Sequence, residues 1–328
     1  MKSITKSVKD YQYLIVGGTT KAATTSLYSY LSDHPSICAA SYKETRFFLD
    51  IEYPLPSKFR FNGDIEEYNS LFTQCKEGEI RMESTPDYLY CSSALDRIAT
   101  YLPKSKLVFS LREPISRIIS WYRFGKQIDR LPKSLSIDDY IENMFAIDSP
   151  SQNSNNMNKG TVPIEDTITQ QYMQTLQQGC YSTYLKKYLE QIDRNRIHIL
   201  YYEQIAEEPL KELMDICNFV GIDPKFYTDY TFEVTNRTET MRNSSFHKQY
   251  RNLRFKMRGW THNKPIIHKP LKIVRKAIEP IYLKMNTRPQ ENINISKKTK
   301  DRLINYYRDD VHSLTELTGK QPPWLLYT

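Results

Sequence analysis

The sequence predicts an α/β fold of three layers, a central parallel sheet flanked by helices, with a helical final third. Three observations predict it. Apolar, β-branched runs at 13–16 (YLIV), 106–111 (KLVFSL) and 196–202 (RIHILYY) alternate with segments of helical spacing, as in βα units whose strands are buried on both faces. A hydrophobic content of 39% with 12% aromatic residues can fill a core and excludes global disorder in a chain of 328 residues. No run of about eighteen apolar residues occurs, so no transmembrane segment is expected.

The elements follow in order. After the strand at 13–16, Gly17 and Gly18 are read as ending it in a turn that needs no Cβ. Helical spacing begins after Lys21, with Leu27, Tyr30 and Leu31 on one face. Residues 50–65 hold Pro54, Pro56 and Gly63 and read as loop, and 65–72 as a short helix. A weak strand is expected at 79–83, followed by a turn that Pro86 blocks from continuing. A helix at 93–102 leads to the strand at 106–111, and Pro114 opens a helix to about 126. The Asn/Ser/Pro-rich stretch 148–164 has no periodicity and reads as a mobile loop, a lid or plain disorder. Helices near 166–176 and 181–191 precede the strand at 196–202. A helix at 209–220 stopped by Gly221, and a last one at 297–318, complete the chain. One domain over 1–328 is expected, with an α/β core at about 11–245 and a basic helical part at about 246–328 packed on it.

The chemistry centres on the stretch 11–35. Thr24, Thr25 and Ser26 fall where the helix begins, so free N–H groups face the loop as an anion site, to which Lys21 adds a charge. The spacing differs from G-x-x-x-x-G-K-[ST], because two alanines separate Lys21 from Thr24. The strand at 106–111 ends in Arg112 rather than in a magnesium-binding Asp. A cation there suits a second anionic group and repels a metal. Two anion sites at adjacent strand ends point to a ligand with two separate phosphate-like groups, and no metal ligands are assigned.

At this point the sequence resembles a family. VGGTTKAATTSLYSYLSDHP is similar to the 5′-phosphosulfate loop of sulfotransferases that use 3′-phosphoadenosine 5′-phosphosulfate (PAPS), and KLVFSLREPISRIISWY to their 3′-phosphate motif. KETRFF resembles the E-x-x-F-F segment of the carbohydrate-type members. GCYSTYLKKYLEQI, RIHILYYEQIAEEP, RNSSFHKQYRNL and YYRDDVHSLTELTGKQPPW resemble later blocks, so the likeness covers nearly the whole chain in order. It implies a P-loop-like fold and a soluble, prokaryotic-like enzyme with PAPS as donor, the desulfated nucleotide PAP as product, and no metal requirement. Lys21 would contact the phosphosulfate, and the backbone of Ala22, Ala23, Thr24, Thr25 and Ser26 the 5′-phosphate. Arg112 and Ser120 would bind the 3′-phosphate, with Arg242 covering it. Glu44 would be the general base that takes the acceptor hydroxyl's proton. Arg46 is a candidate for gripping the acceptor, and Glu83 is a rival base near it. Two departures stand out: Ala22-Ala23 replaces the usual glycine, and Ser84 replaces the lysine of an E-K-T-P element. The acceptor implied is a hydroxylated glycan; a small-molecule alcohol, a kinase and a non-catalytic nucleotide-binding protein are the alternatives.

Charge is unevenly spread. Residues 247–288 hold twelve Lys/Arg against one acid, Glu279, within a net charge of +8. Such a strip suits an anionic surface, whether an acidic glycan, a membrane or a nucleic acid, or is simply a wet face; no nucleic-acid partner is expected for the enzyme itself. The five cysteines are odd in number and lack metal-ligand spacing, so reduced thiols and a cytoplasmic location are expected.

Overall fold

The computed structural model describes residues 8–55, 57–148, 174–232, 240–241, 287–288 and 293–327. Its centre is a parallel sheet of five strands, β1 (Tyr13–Gly18), β2 (Ile37–Ala39), β3 (Ile80–Ser84), β4 (Lys106–Leu111) and β5 (Ile197–Tyr201), in the order β2-β3-β1-β4-β5. β1 sits in the middle because all six of its residues are buried. Tyr13 and Ile15 point into one core, Leu14 and Val16 into the other, as the two-residue period of a strand requires. The chain leaves β1 toward β2 on one side and leaves β4 toward β5 on the other. The carboxyl ends of β1 and β4 therefore flank a topological switch point, where ligands of such sheets bind.

Helices cover both faces. Against Leu14 and Val16 lie α1 (Thr24–Asp33), through Leu27, Tyr30 and Leu31, and the helix Pro209–Val220, through Leu213, Ile216 and Val220. The other face is covered by Leu95 and Ile98 of Ser92–Tyr101, Ile115 and Ile118 of Pro114–Gln127, and Leu185 and Tyr188 of Tyr181–Gln191. The helix Lys297–Thr318 joins the same core through Leu303, Tyr307, Val311 and Leu314. Among the described residues the α-helices are, in chain order, α1, α2 (Glu66–Asn69), α3 (Ser92–Tyr101), α4 (Pro114–Gln127), α5 (Ile137–Asp148), α6 (Tyr181–Gln191), α7 (Tyr202–Glu207), α8 (Pro209–Val220) and α9 (Lys297–Thr318). Gly221 stops α8 at φ 88°, the left-handed cap read from the sequence.

Three features differ from expectation. β2, α5 and α7 were not foreseen. Gly17 and Gly18 belong to β1 and do not turn: a Cβ on Gly18 would lie 2.8 Å from Leu89 Cβ, so the residue is needed for close packing. Cys38 on β2 and Cys75 form a disulfide, with Cα atoms 5.5 Å apart, which corrects the expectation of reduced thiols for this pair. Such bonds persist in oxidising compartments and are rare in the cytosol, which weighs against the cytoplasmic expectation. Among the described residues no helix is long and apolar enough to cross a membrane. The stretch 149–164, Arg242 and nearly all of the basic strip 247–288 lie outside the described residues, as does most of the helix expected near 166–176.

Candidate active site

Three loops on three neighbouring strand ends build the site. The first runs from β1 to α1. The Thr19 N–H donates to the Ser110 carbonyl at 2.7 Å, and Ser110 Oγ donates to the Ala22 carbonyl at 2.6 Å, so β4 pins the loop at both ends. Lys21 and Ala23 adopt φ of 66° and 59°, left-handed values that fold the loop back over the start of α1. Ala23 precedes α1 without a side-chain cap, and the Leu27 N–H is the one that reaches the Ala23 carbonyl, at 3.0 Å. As first amides of a helix, the N–H groups of Thr24 and Thr25 have no carbonyl partner within α1 and lie next to the loop, a position that suits an anion. The Lys21 ammonium lies 4.3 Å from the centre of the Phe124 ring on α4. Burial, and then the neighbouring charge of Arg112, lower its pKa to about 8.

The second loop begins as β4 ends. Arg112 Nη1 donates to the Lys21 carbonyl at 3.0 Å, and its guanidinium stacks on Tyr202 at 4.2 Å, so the two expected anion-binding cations share one corner. Its Nε is buried with no hydrogen-bond partner among the described residues, a donor that an anion would satisfy. Ser120 sits two turns along α4, buried. Two arginines of α4 were missed in the sequence. Arg123 is close enough to Arg112 for that charge, after burial, to depress its pKa. Arg117 is fully buried and braces the first loop, with Nη1 on Thr20 Oγ1 at 3.4 Å and Nη2 on the Thr175 carbonyl at 2.5 Å.

The third group surrounds β3. The Glu44 N–H donates to the Ser84 carbonyl at 3.0 Å, and Ser84 pairs with Val16 of β1, so Glu44 hangs beside the first loop. Its carboxylate is held by Lys43 Nζ at 2.9 Å and Arg46 Nη2 at 2.7 Å. Burial pushes its pKa up, but Lys43 and then Arg46 pull it down to about 2. The side chain keeps 32% of its surface open, enough to meet a ligand. Glu83 is placed quite differently. It is fully buried and accepts hydrogen bonds from Thr45 at 2.6 Å, Thr85 at 2.8 Å, Tyr88 at 2.9 Å and Tyr68 at 3.0 Å. Both oxygens are engaged, so this carboxylate is a scaffold under the Glu44 loop, and its expected place beside an acceptor is corrected. Lys21, Ala23, Glu44 and Arg46, with φ between 56° and 66°, are four of the five non-glycine residues at positive φ among those described. Strain of this kind concentrates at ligand clamps.

Two cationic anion sockets and an open carboxylate at one switch point fit transfer of an anionic group between two bound molecules. Residues 12–264 match the model of the sulfotransferase domain family, and the chain belongs to that family. It is similar to the heparan sulfate glucosamine 3-O-sulfotransferase 3A1 of Mus musculus, at 25% identity over 228 residues, 68% of this chain and 50% of that protein. It is also similar to the membrane-associated sulfotransferase kil1 of Dictyostelium discoideum, at 33% identity over 137 residues, 40% of this chain and 26% of that one. The chain thus spans about half the length, or less, of these relatives. Among solved structures, a sulfotransferase from Alicyclobacillus acidocaldarius shares the fold, with a TM-score of 0.61 at 17% identity, covering 95% of this chain and 97% of that one.

Proposed function

We propose that the chain transfers the sulfuryl group of PAPS to an acceptor hydroxyl, on a carbohydrate, by in-line displacement. The observation that carries this reading is the joint held by the Lys21 carbonyl and Arg112 Nη1 at 3.0 Å, which sets two cationic sockets side by side. One socket, formed by Lys21 and the first amides of α1, suits the phosphosulfate; the other, formed by Arg112 with Arg123 nearby, suits a 3′-phosphate, to which Ser120 is assigned from the motif. Arg112 Nε, with no hydrogen-bond partner among the described residues, and the first amides of α1 support a doubly anionic nucleotide. When bound, PAPS supplies an activated sulfuryl group and a phosphate leaving group.

The residues then divide the work. Lys21, with the first amides of α1, would hold the phosphosulfate end of the donor, and its ammonium would balance the negative charge of the phosphate that leaves. Glu44 accepts the acceptor's proton as the new oxygen–sulfur bond forms. A carboxylate held near 2 is a weak base toward an intact alcohol. The hydroxyl becomes strongly acidic as it bonds to sulfur, so Glu44 takes the proton late in the displacement. The positive φ values of Glu44 and Arg46 fix the carboxylate in place for that step. The glycan acceptor is supported by the KETRFF segment and by relatives named for heparan sulfate. The nucleotide-binding assignment is tested by thermal shift: PAP should raise the Tm without added metal, and ATP much less. Equal stabilisation by both would remove the 3′-phosphate role of Arg112 and Ser120. Radiolabelled PAPS offered to a panel of glycans and small alcohols tests the acceptor class.

A further inference from the structure

The turn that carries Arg112 is gripped from behind by residues distant in sequence, the farthest 214 positions away. The Arg112 carbonyl accepts a hydrogen bond from the Tyr181 hydroxyl at 2.7 Å. The next N–H, that of Glu113, donates to Glu203 Oε1 at 3.1 Å. Glu113 also caps α4, its carboxylate accepting from the N–H groups of Ile115 and Ser116 at 2.9 and 2.6 Å. Both carboxylates are then tied to one distant segment. Tyr327 donates its hydroxyl to Glu113 Oε1 at 2.9 Å, and Trp324 donates Nε1 to Glu203 Oε2 at 3.0 Å. Trp324 is buried, with its ring edge-on to Tyr201 at 5.4 Å and tilted against Tyr181 at 6.0 Å.

The direction of the Arg112 guanidinium is set by this turn. Among the described residues its side chain donates one hydrogen bond, to the Lys21 carbonyl, and stacks on Tyr202. A phosphate bound by a guanidinium needs the fork aimed at it, so a small rotation of the turn loses the contact while leaving the fold intact. We propose that Trp324 and Tyr327 are positioning residues for the anion socket at Arg112, acting through Glu203 and Glu113. The inference rests on the donor reading above.

Calorimetric titration of the full chain with PAP and with adenosine 5′-phosphate, which lacks the 3′-phosphate, separates the two. In Tyr327→Phe and in Trp324→Phe, PAP binding should weaken by about three- to tenfold, the scale of one ordinary hydrogen bond, because the lost bond acts on the phosphate only through the turn. Adenosine 5′-phosphate affinity should stay level, and Leu325→Ser, at a side chain 86% exposed, should change neither. Loss of both nucleotides in equal proportion, with a lower Tm, would make the clamp a stability feature only and overturn the proposal. Retention of the full PAP preference would also overturn it. If the unaltered chain itself shows no preference for PAP, the donor reading fails first and this inference with it. Tyr327→Phe removes a single hydroxyl and carries the test should Trp324→Phe not fold.

Discussion

If Lys21 meets the donor as proposed, binding of the nucleotide is proton-linked. Burial and the charge of Arg112 lower the Lys21 pKa from 10.5 to about 8 in the ligand-free fold. At about 1.4 kcal/mol per tenfold change, this is a cost of roughly 3 kcal/mol for keeping the ammonium charged in its pocket. Between those two values the unfolded chain holds a proton that the folded chain has released, so this group makes the free protein more stable as pH rises from about 8 toward 10.5. A bound phosphosulfate or phosphate reverses the balance, because it restores the charged form. Above pH 8, binding must therefore take up a proton, and affinity should fall toward tenfold per pH unit. PAP should bind about thirtyfold more weakly at pH 9.5 than at pH 7. Calorimetry in two buffers of different ionisation enthalpy reads both the affinity and the proton uptake. Lys21→Arg, whose charge does not titrate in this range, should flatten the profile. A flat profile in the unaltered chain would mean that Lys21 does not face the bound anion, and the first socket would be wrongly assigned.

Other expectations follow from single residues. Glu44→Gln should leave PAP affinity nearly unchanged and lower kcat by about 10²–10⁴-fold; undiminished turnover would move the proton acceptor elsewhere. The Glu44 pairing also contributes stability that is full above the unfolded value of 4.5 and lost as pH falls toward about 2, so the same variant should shift the acid-unfolding limb. Ala23→Gly should stabilise by up to about 1 kcal/mol, because an L-residue at left-handed φ costs roughly 1–2 kcal/mol and glycine returns part of that as chain entropy; a lower Tm would show that the Ala23 methyl is needed for packing. Cys38→Ser should cost about 3–4 kcal/mol in denaturant unfolding, from loop closure over a separation of 37 residues. A difference that disappears under reducing conditions would confirm the bond as its source.

What the sequence made legible was local. Lys106–Leu111 and Pro114–Gln127 could be read because an apolar run and a proline at the first helical position are signals within a few residues. α8 and α9 matched their expected bounds for the same reason, each ending at a glycine in the left-handed region. β2 was invisible because three residues cannot show a period, and it is a strand only by pairing with β3. α5 did carry a signal, Ser136 Oγ accepting from the Asp139 N–H at 3.0 Å ahead of Ile137, Tyr140, Ile141 and Met144, and it was overlooked. The disulfide could not be read, because an odd cysteine count with no regular spacing does not fix a pairing.

The site divides along the same line. Lys21 and Arg112 could be brought together from the sequence, because one lies three residues past the end of β1 and the other directly after β4, the neighbouring strand. Arg117 and Arg123 matter only through the way α4 lies across the first loop, which no spacing in the sequence reports. The two acidic candidates show the limit most clearly. In the sequence, Glu44 and Glu83 were rivals of the same type, each next to a turn. Tyr68 and Tyr88 make them differ in burial: with Thr45 and Thr85 they enclose Glu83, while the Glu44 side chain keeps 32% of its surface open. Thr45 joins the two: its backbone continues from Glu44 and its hydroxyl holds Glu83. The buried acid therefore anchors the strained loop from which the open one is presented, so that two residues of one chemical kind serve opposite ends of the same device.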